Sequence, residues 1–263
     1  MFARKEWIAA CHFHALDDAG VMRTVVERVR HEREKHPGDH VVTVFDIDST
    51  LYEVKTRTHQ ILKEWVASHP AGALSNAVRE VLHRMEEGDV GYSMGDTFRA
   101  LGLALEHQEV ANALAAARRF WKDRFFTNDY LQYDRVYAGA TGFVHRVFDA
   151  GSHIVYLTGR DEPGMGAGTR QRLRDDGFPI DGQRTRLILK ANFDIEDMAH
   201  KQDATRLIGS MGRVVASFEN EPRNLVALHQ AFPEAMHVFL DTDCSEHPAL
   251  PLTGLYRLTG FGA

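Results

Sequence analysis

The sequence predicts an α/β fold: a doubly wound, mostly parallel sheet with an all-helical subdomain inserted after its first strand. Several short apolar runs have no polar face, as expected of parallel strands that helices cover on both sides. Helical patterns alternate with these runs, and one long interval shows helical periodicity alone. The predicted strands are 41–45, 153–157, 186–189, 214–218 and 237–240, and the helices between them are 140–150, 169–176, 200–211 and 222–231.

A helix is predicted before the first strand. The apolar residues of 15–36 fall on one helical face, Asp17 and Asp18 stand where an N-cap belongs, and basic residues crowd the last turn. Pro37 and Gly38 then end the helix. Residues 1–39 therefore form a helical extension that precedes the sheet.

The interval 53–137 separates the first predicted strand from the second and divides the α/β core into 40–52 and 138–263. Ligands of open α/β sheets bind at the carboxyl ends of the strands, so a subdomain inserted there is expected to act as a lid. Its predicted helices are 57–68, 73–87, 93–105 and 107–126, with Pro70, Gly72, Gly88 and Gly91 as the breaks between them.

The composition is that of a globular protein, with 263 residues, 44% apolar and 26% charged. The 31 Lys and Arg against 37 Asp and Glu give a net charge of −6, which disfavours dedicated binding of nucleic-acid phosphates. No run approaches the ~18 apolar residues of a membrane span. The two cysteines are too few for a disulfide scaffold, which favours a reducing, cytoplasmic location.

Two carboxylates, Asp46 and Asp48, follow the first predicted strand. A charged pair at the edge of a buried sheet costs desolvation unless a cation or a hydrogen-bond network accepts it. The spacing alone is weak, because Asp241 and Asp243 repeat it after another apolar strand. The pair gains meaning only from partners at the ends of the other strands.

Such partners follow in order. The second strand ends in Thr158, Gly159 and Arg160, where a hydroxyl beside a glycine can bind an oxygen or cap a helix. Residues 219–221 (Glu-Asn-Glu) end the fourth strand and can hold a hard cation or cap a helix. Two lysines lie between these motifs: Lys190 ends the third strand and Lys201 opens the next helix.

The ordered set resembles the motifs of the haloacid dehalogenase-like (HAD) superfamily of phosphohydrolases, over nearly the whole chain from 40 to 241. The matching positions are Asp46-x-Asp48-x-Thr50, Thr158, a lysine and the acids after the fourth strand. The insertion resembles the C1 cap of that superfamily. The resemblance implies a Rossmann-like core, Mg²⁺ as cofactor and hydrolysis through an aspartyl-phosphate.

By that resemblance, Asp46 is the nucleophile and Asp48 is the general acid and then the general base. Mg²⁺ is expected on Asp46, on the backbone carbonyl of Asp48 and on Glu219, with Asn220 as a further candidate. The family commonly has aspartates at the fourth motif, so Glu221 and Asn224 remain alternatives to Asn220.

Thr158 and a lysine are expected to position and neutralise phosphate oxygens. We favour Lys201 over Lys190 because Lys201 begins the helix that leads into the fourth strand. The further candidates for substrate or phosphate binding are Thr50, Gly159, Arg160 and Lys190.

Two segments allow two interpretations each. Residues 163–169 are glycine-rich but lack the Gly-Lys-Ser/Thr ending of a phosphate loop, so we favour a strand-to-helix connection capped by Thr169. Residues 118–126 are the most basic and aromatic stretch. We favour an amphipathic helix with its aromatic rings in the core of the insertion over a surface that stacks nucleobases or holds an anion.

The sequence therefore predicts a Mg²⁺-dependent phosphatase that acts on a small phosphorylated metabolite, with no membrane or nucleic-acid partner. A phosphomutase or another phosphotransferase of the same fold is the alternative enzyme. A dehalogenase is disfavoured because departure of a halide needs no proton donor such as Asp48. A non-catalytic protein that binds a phosphorylated ligand is the alternative from another class.

Overall fold

The computed structural model describes residues 1–68 and 74–262. The chain divides into two compact units: a core unit of Met1–Tyr52 with Val136–Ala263, and a helical unit of Glu53–Arg135. The breaks predicted at Pro70 and Gly72, and the first residue of the helix predicted at 73–87, lie outside the described residues.

The helices are α1 (Arg4–Ala10), α2 (Asp18–Lys35), α3 (Lys55–Ser68), α4 (Asn76–His83), α5 (Met94–Ala100), α6 (Gln108–Phe125), α7 (Ala140–Asp149), α8 (Glu162–Asp175), α9 (Asp197–Met211) and α10 (Pro222–Ala231). The strands are β1 (Val41–Phe45), β2 (Tyr52–Glu53), β3 (Arg135–Val136), β4 (His153–Asp161), β5 (Thr185–Lys190), β6 (Arg213–Glu219), β7 (Met236–Leu240) and β8 (Tyr256–Leu258). Two short 3₁₀ helices cover Glu87–Asp89 and Asn128–Tyr133.

The core unit contains a six-stranded sheet in the order β5-β4-β1-β6-β7-β8. Each neighbouring pair in it is parallel. All five residues of β1 are buried, and alternate ones enter different clusters. Val41 and Phe45 pack in the cluster that contains α2 and α7, whereas Val42 and Val44 pack with residues of α9 and α10. Because helices cover both faces, the predicted doubly wound α/β fold is confirmed.

The strand order brings three of the sequence motifs to one edge of the sheet. β1 lies between β4 and β6, and its last residue, Phe45, pairs with Tyr156 and Phe218. The carboxyl ends of parallel strands meet at the same edge. Residues that follow β1, end β6 or lie late in β4 therefore come together there.

Helix α8 differs from its prediction. The connection predicted at 163–169 is the first half of this helix, which begins at Glu162 rather than at 169. The side chain of Asp161, not that of Thr169, caps it by accepting a hydrogen bond from Gly164 N at 2.9 Å. Met165, Thr169 and Leu173 are buried at helical spacing, so packing of this face outweighs the low helix propensity of the glycines.

Other differences concern short elements. The sequence did not predict α1 or β8, whose lengths of seven and three residues give little periodicity. The interval 53–137 also begins and ends in the two short strands β2 and β3, which pair with each other.

The helical unit has a hydrophobic core of its own. Trp65 on α3, Phe98 on α5 and Leu114 on α6 belong to one buried cluster within it. Arg57 and Asp134 form a fully buried ion pair in the same unit, with both hydrogen bonds at 2.7 Å. Among residues 1–68 and 74–262, no helix combines the length and the apolar character that a bilayer crossing requires.

Candidate active site

The centre of the candidate site is Lys201, whose ammonium group bridges two buried carboxylates. Its Nζ lies 2.5 Å from Asp46 Oδ1 and 2.6 Å from Glu219 Oε2. Asp46 directly follows β1, Glu219 ends β6 and Lys201 lies on α9. The side chains of Lys201, Asp46 and Glu219 are 3%, 7% and 1% exposed, so water screens their charges little.

The charges of this trio do not balance, since two carboxylates face one ammonium group. Burial and the charge of Glu219 raise the pKa of Asp46 well above its usual value, although Lys201 opposes the rise. Burial also raises the pKa of Glu219. Burial alone would lower the pKa of Lys201, but the charges of Asp46 and Glu219 outweigh it and raise that pKa. The crowded negative charge therefore attracts further positive charge.

Asp48 is held by Arg160 in a two-point ion pair. Arg160 Nε donates to Asp48 Oδ2 at 2.9 Å, and Nη2 donates to Oδ1 at 2.7 Å. The third guanidinium nitrogen, Nη1, donates to Thr169 Oγ1 at 3.1 Å. The Arg160 side chain is 2% exposed and that of Asp48 is 32% exposed, so a buried cation orients a carboxylate that water can reach. The geometry directs Arg160 to Asp48, whereas the sequence suggested a phosphate ligand.

Asp48 lies in a tight turn that follows β1, and the backbone of this turn positions its side chain. The carbonyl of Ile47 accepts from the backbone N–H groups of Thr50, Leu51 and Tyr52. Ser49 adopts a left-handed backbone with φ of 57°, which is uncommon for a residue with a side chain. Such strain persists where the surrounding structure requires it, often at functional sites.

Thr158 and Gly159 lie in the last part of β4. The buried Thr158 hydroxyl accepts from Arg160 N at 3.2 Å, which leaves its hydrogen available to an oxygen ligand. At Gly159, a Cβ atom would lie within 2.5–2.8 Å of the Asp197 carboxylate, so the absence of a side chain permits this close approach. No motif in the sequence pointed to Asp197 as a neighbour of Gly159.

The acids and amides after β6 have separate partners. Asn220 Oδ1 accepts from Thr50 Oγ1 at 3.2 Å, so Thr50 braces the turn after β1 in this arrangement. The Glu221 carboxylate accepts from Ser245 N at 2.8 Å and from Ser245 Oγ at 2.7 Å. Asn224 is buried on α10. The carboxylate of Glu221 is thus engaged by Ser245, while its backbone N–H donates to Glu219 Oε1 at 3.0 Å.

Lys190, the other candidate lysine, has a different environment. Its Nζ donates to Asp197 Oδ1 at 2.9 Å, and the Asp197 side chain is 57% exposed. No hydrogen bond joins Lys190 to Asp46, Asp48 or Glu219 in the described part of the chain. Of the two lysines, Lys201 is therefore the one that contacts the carboxylate after β1.

The residues present fit a Mg²⁺ ion. Mg²⁺ takes oxygen ligands and is commonly held by one or two carboxylates, with waters and substrate phosphate completing its shell. Asp46 and Glu219 supply two such carboxylates, and their excess negative charge suits a divalent cation. No cluster of three or more His, Cys, Asp or Glu side chains suited to a metal occurs within 1–68 and 74–262. A site here would depend on backbone, amide, water and substrate oxygens as well.

No protein-family model and no curated protein matches this chain. Solved structures do resemble it. A haloacid dehalogenase-like hydrolase of Burkholderia xenovorans shares 18% identity and a TM-score of 0.46, over 81% of this chain and 91% of its own. A protein of Haemophilus somnus, described as a predicted phosphoglycolate phosphatase, shares 14% identity and a TM-score of 0.48, over 84% and 94%.

A haloacid dehalogenase-like hydrolase of Streptococcus pneumoniae shares 9% identity and a TM-score of 0.44, over 76% of this chain and 84% of its own. The fold itself is defined by the strand order and the two covered faces of the sheet.

Proposed function

We propose that this chain is a Mg²⁺-dependent phosphatase of the haloacid dehalogenase-like superfamily that hydrolyses a small phosphorylated metabolite. The observation that carries the proposal is the buried trio at the carboxyl edge of the sheet, in which Lys201 bridges Asp46 and Glu219. An ammonium group that fixes one oxygen of a carboxylate orients the other for attack. Asp46 Oδ2 accepts no hydrogen bond from any residue of the described ranges.

In the first step, an Asp46 oxygen forms a bond to phosphorus as the bond from phosphorus to the leaving oxygen breaks. The attacking group is the ionised carboxylate of Asp46, which the ammonium group of Lys201 stabilises. Asp48, in its protonated form, transfers a proton to the leaving oxygen and becomes a carboxylate. In the second step, Asp48 takes a proton from water as that water attacks phosphorus, and the bond between phosphorus and Asp46 breaks to release phosphate.

Lys201 and Thr158 act on the phosphoryl oxygens throughout. The ammonium group neutralises charge, and the buried hydroxyl donates a hydrogen bond. Mg²⁺, when bound by Asp46 and Glu219, would supply the additional positive charge that phosphoryl transfer requires. Arg160 acts through Asp48, because its two hydrogen bonds hold the carboxylate in one orientation.

We also propose a cytoplasmic location and a small substrate. Cys11 and Cys244 are both free thiols, which supports a reducing compartment. The net charge of −6 supports a small phosphorylated compound over a nucleic acid.

The test is release of phosphate from a generic aryl phosphate, measured with and without Mg²⁺, in the natural protein and in Asp46→Asn. We expect metal-dependent release, and loss of at least ~10³-fold in the variant. Beryllium fluoride should label Asp46, as detected by crystallography. Robust turnover with no group on Asp46 would refute the mechanism. Tight binding of a phosphorylated compound without release would identify a binding protein, and transfer to a second site of the substrate would identify a mutase.

A further inference from the structure

A cavity of about 370 Å³ lies within the helical unit, beside α3, the start of α5 and α6. Its volume falls within the range of small-ligand sites, about 300–1,000 Å³. The residues that matter for its chemistry are Thr58, Tyr92, Ser93, Arg118, Trp121 and Lys122. The proposed phosphatase mechanism uses none of them. Three of them, Arg118, Trp121 and Lys122, belong to the basic and aromatic stretch 118–126, for which the sequence allows two interpretations.

The aromatic wall of the cavity is held in place. Trp121 Nε1 donates to Thr58 Oγ1 at 3.0 Å, which satisfies the only polar group of the indole and fixes the ring orientation. Phe125 stacks on Trp121 with 4.4 Å between ring centroids and an angle of 30°. Tyr92, which also lines the cavity, is 55% exposed. Oriented rings beside an open volume provide π-faces on which a flat ligand can stack.

The charge of the cavity is positive. Arg118 and Lys122 line it and are four residues apart on α6, so two like charges lie on one face of the helix, which disfavours the helix. The cavity lining in the described ranges contains no carboxylate. The nearby Asp96 is engaged elsewhere, because it caps α5 through Ser93 and pairs with Arg99 at 2.9 Å.

An ordinary solvated helix face explains these features less well. Among the described residues, the cavity lining has two basic side chains and no acidic one, although the chain as a whole carries a net charge of −6. A positive cavity with an aromatic wall on such a protein favours anions that also carry a flat ring. We propose that this cavity binds a small organic anion with an aromatic ring, through Arg118, Lys122 and the Trp121 indole. The proposal uses no residue of the proposed phosphatase mechanism.

The probe is 4-bromophenylphosphonate, whose phosphorus–carbon bond is not a phosphatase substrate. Its binding to the full chain is measured by calorimetry without added Mg²⁺. Removing a charged hydrogen-bond donor costs about 1.5–3 kcal/mol, so we expect Arg118→Gln/Lys122→Gln to raise Kd at least about tenfold. Arg119→Gln is the matched control, because Arg119 is exposed on the same helix and does not line the cavity. Its Kd should change less than about twofold, and so should that of Asp46→Asn.

Methylphosphonate lacks the ring and cannot stack on the indole, so it should bind at least about tenfold more weakly than the aryl probe. Anomalous scattering from bromine in soaked crystals should place the probe beside Trp121. The proposal is overturned if the chain does not bind the aryl probe. It is also overturned if Arg118→Gln/Lys122→Gln binds the probe as tightly as the control Arg119→Gln. Equal affinity for methylphosphonate, or bromine found only beside Asp46, would also overturn it. Each outcome is read without measuring turnover, so failure here is distinct from failure of the phosphatase proposal.

Discussion

Replacement of Lys201 by methionine tests the electrostatics of the site, with Lys190→Met as the matched control. Methionine keeps most of the aliphatic stem and removes the ammonium group. Both lysines are nearly buried and both pair with carboxylates, but the carboxylates differ. Those of Asp46 and Glu219 are 7% and 1% exposed, whereas that of Asp197 is 57% exposed.

The burial of the partners sets the expected magnitudes. Lys201→Met leaves two buried carboxylates without a cation, and removal of one partner from a buried ion pair costs about 3–5 kcal/mol. Lys190→Met leaves a carboxylate that water can solvate, so the expected loss is about 0–1 kcal/mol. For hydrolysis, loss of a charge stabiliser of the transition state costs about 10²–10³-fold in kcat, and we expect this for Lys201 alone.

Stability is measured by urea unfolding at neutral pH without metal, and activity by hydrolysis of an aryl phosphate with Mg²⁺. The double variant Lys201→Met/Glu219→Gln returns the trio to one net negative charge, so it should recover most of the stability but not the activity. Equal losses for Lys201→Met and Lys190→Met, or a larger loss for Lys190→Met, would refute the assignment of Lys201 to Asp46.

Three further predictions concern residues around and away from the site. Arg160→Gln should lower kcat by about 10–100-fold for an alkyl phosphate, with little change in KM, because Asp48 loses its orientation. The loss of kcat should be smaller for a nitrophenyl phosphate, because a good leaving group needs less protonation. A raised KM with unchanged kcat would instead show that Arg160 binds phosphate. Arg57→Met should lower the free energy of unfolding by about 3–5 kcal/mol, measured with denaturant, because it leaves the buried carboxylate of Asp134 without its cation. Adding Asp134→Leu should restore most of this loss. No recovery in the double variant would contradict an electrostatic cause. Burial lowers the pKa of His237 to about 4, so the unfolded chain takes up a proton below about pH 6.5 that the native protein does not. Stability should therefore fall by about 3 kcal/mol as the pH drops from about 6.5 to about 4, and His237→Gln should remove this slope in pH-dependent unfolding, whereas an unchanged slope would assign it to other groups.

Local patterns in the sequence were enough to predict most strands and helices of the core. The strands of the sheet centre were predicted because β1, β4, β6 and β7 bury both faces, which makes each a continuous apolar run. The edge strand β8 has three residues and one buried position, so it left no such run. Helix α8 was partly missed because its glycines suggested a loop, while its burial against the sheet is a tertiary effect.

By itself, then, the sequence determined which polar residues follow the buried strands, because a strand that is buried on both faces is a continuous run of apolar residues. Only the tertiary structure decided how those polar residues pair. Lys201 meets Asp46 across 155 positions of chain, and Arg160 meets Asp48 across 112. The Glu221 carboxylate accepts from Ser245, 24 positions further along the chain. The reason is physical: the energy of a buried charge depends on what lies within a few ångströms of it, and that distance is set by how strands and helices pack, not by spacing along the chain.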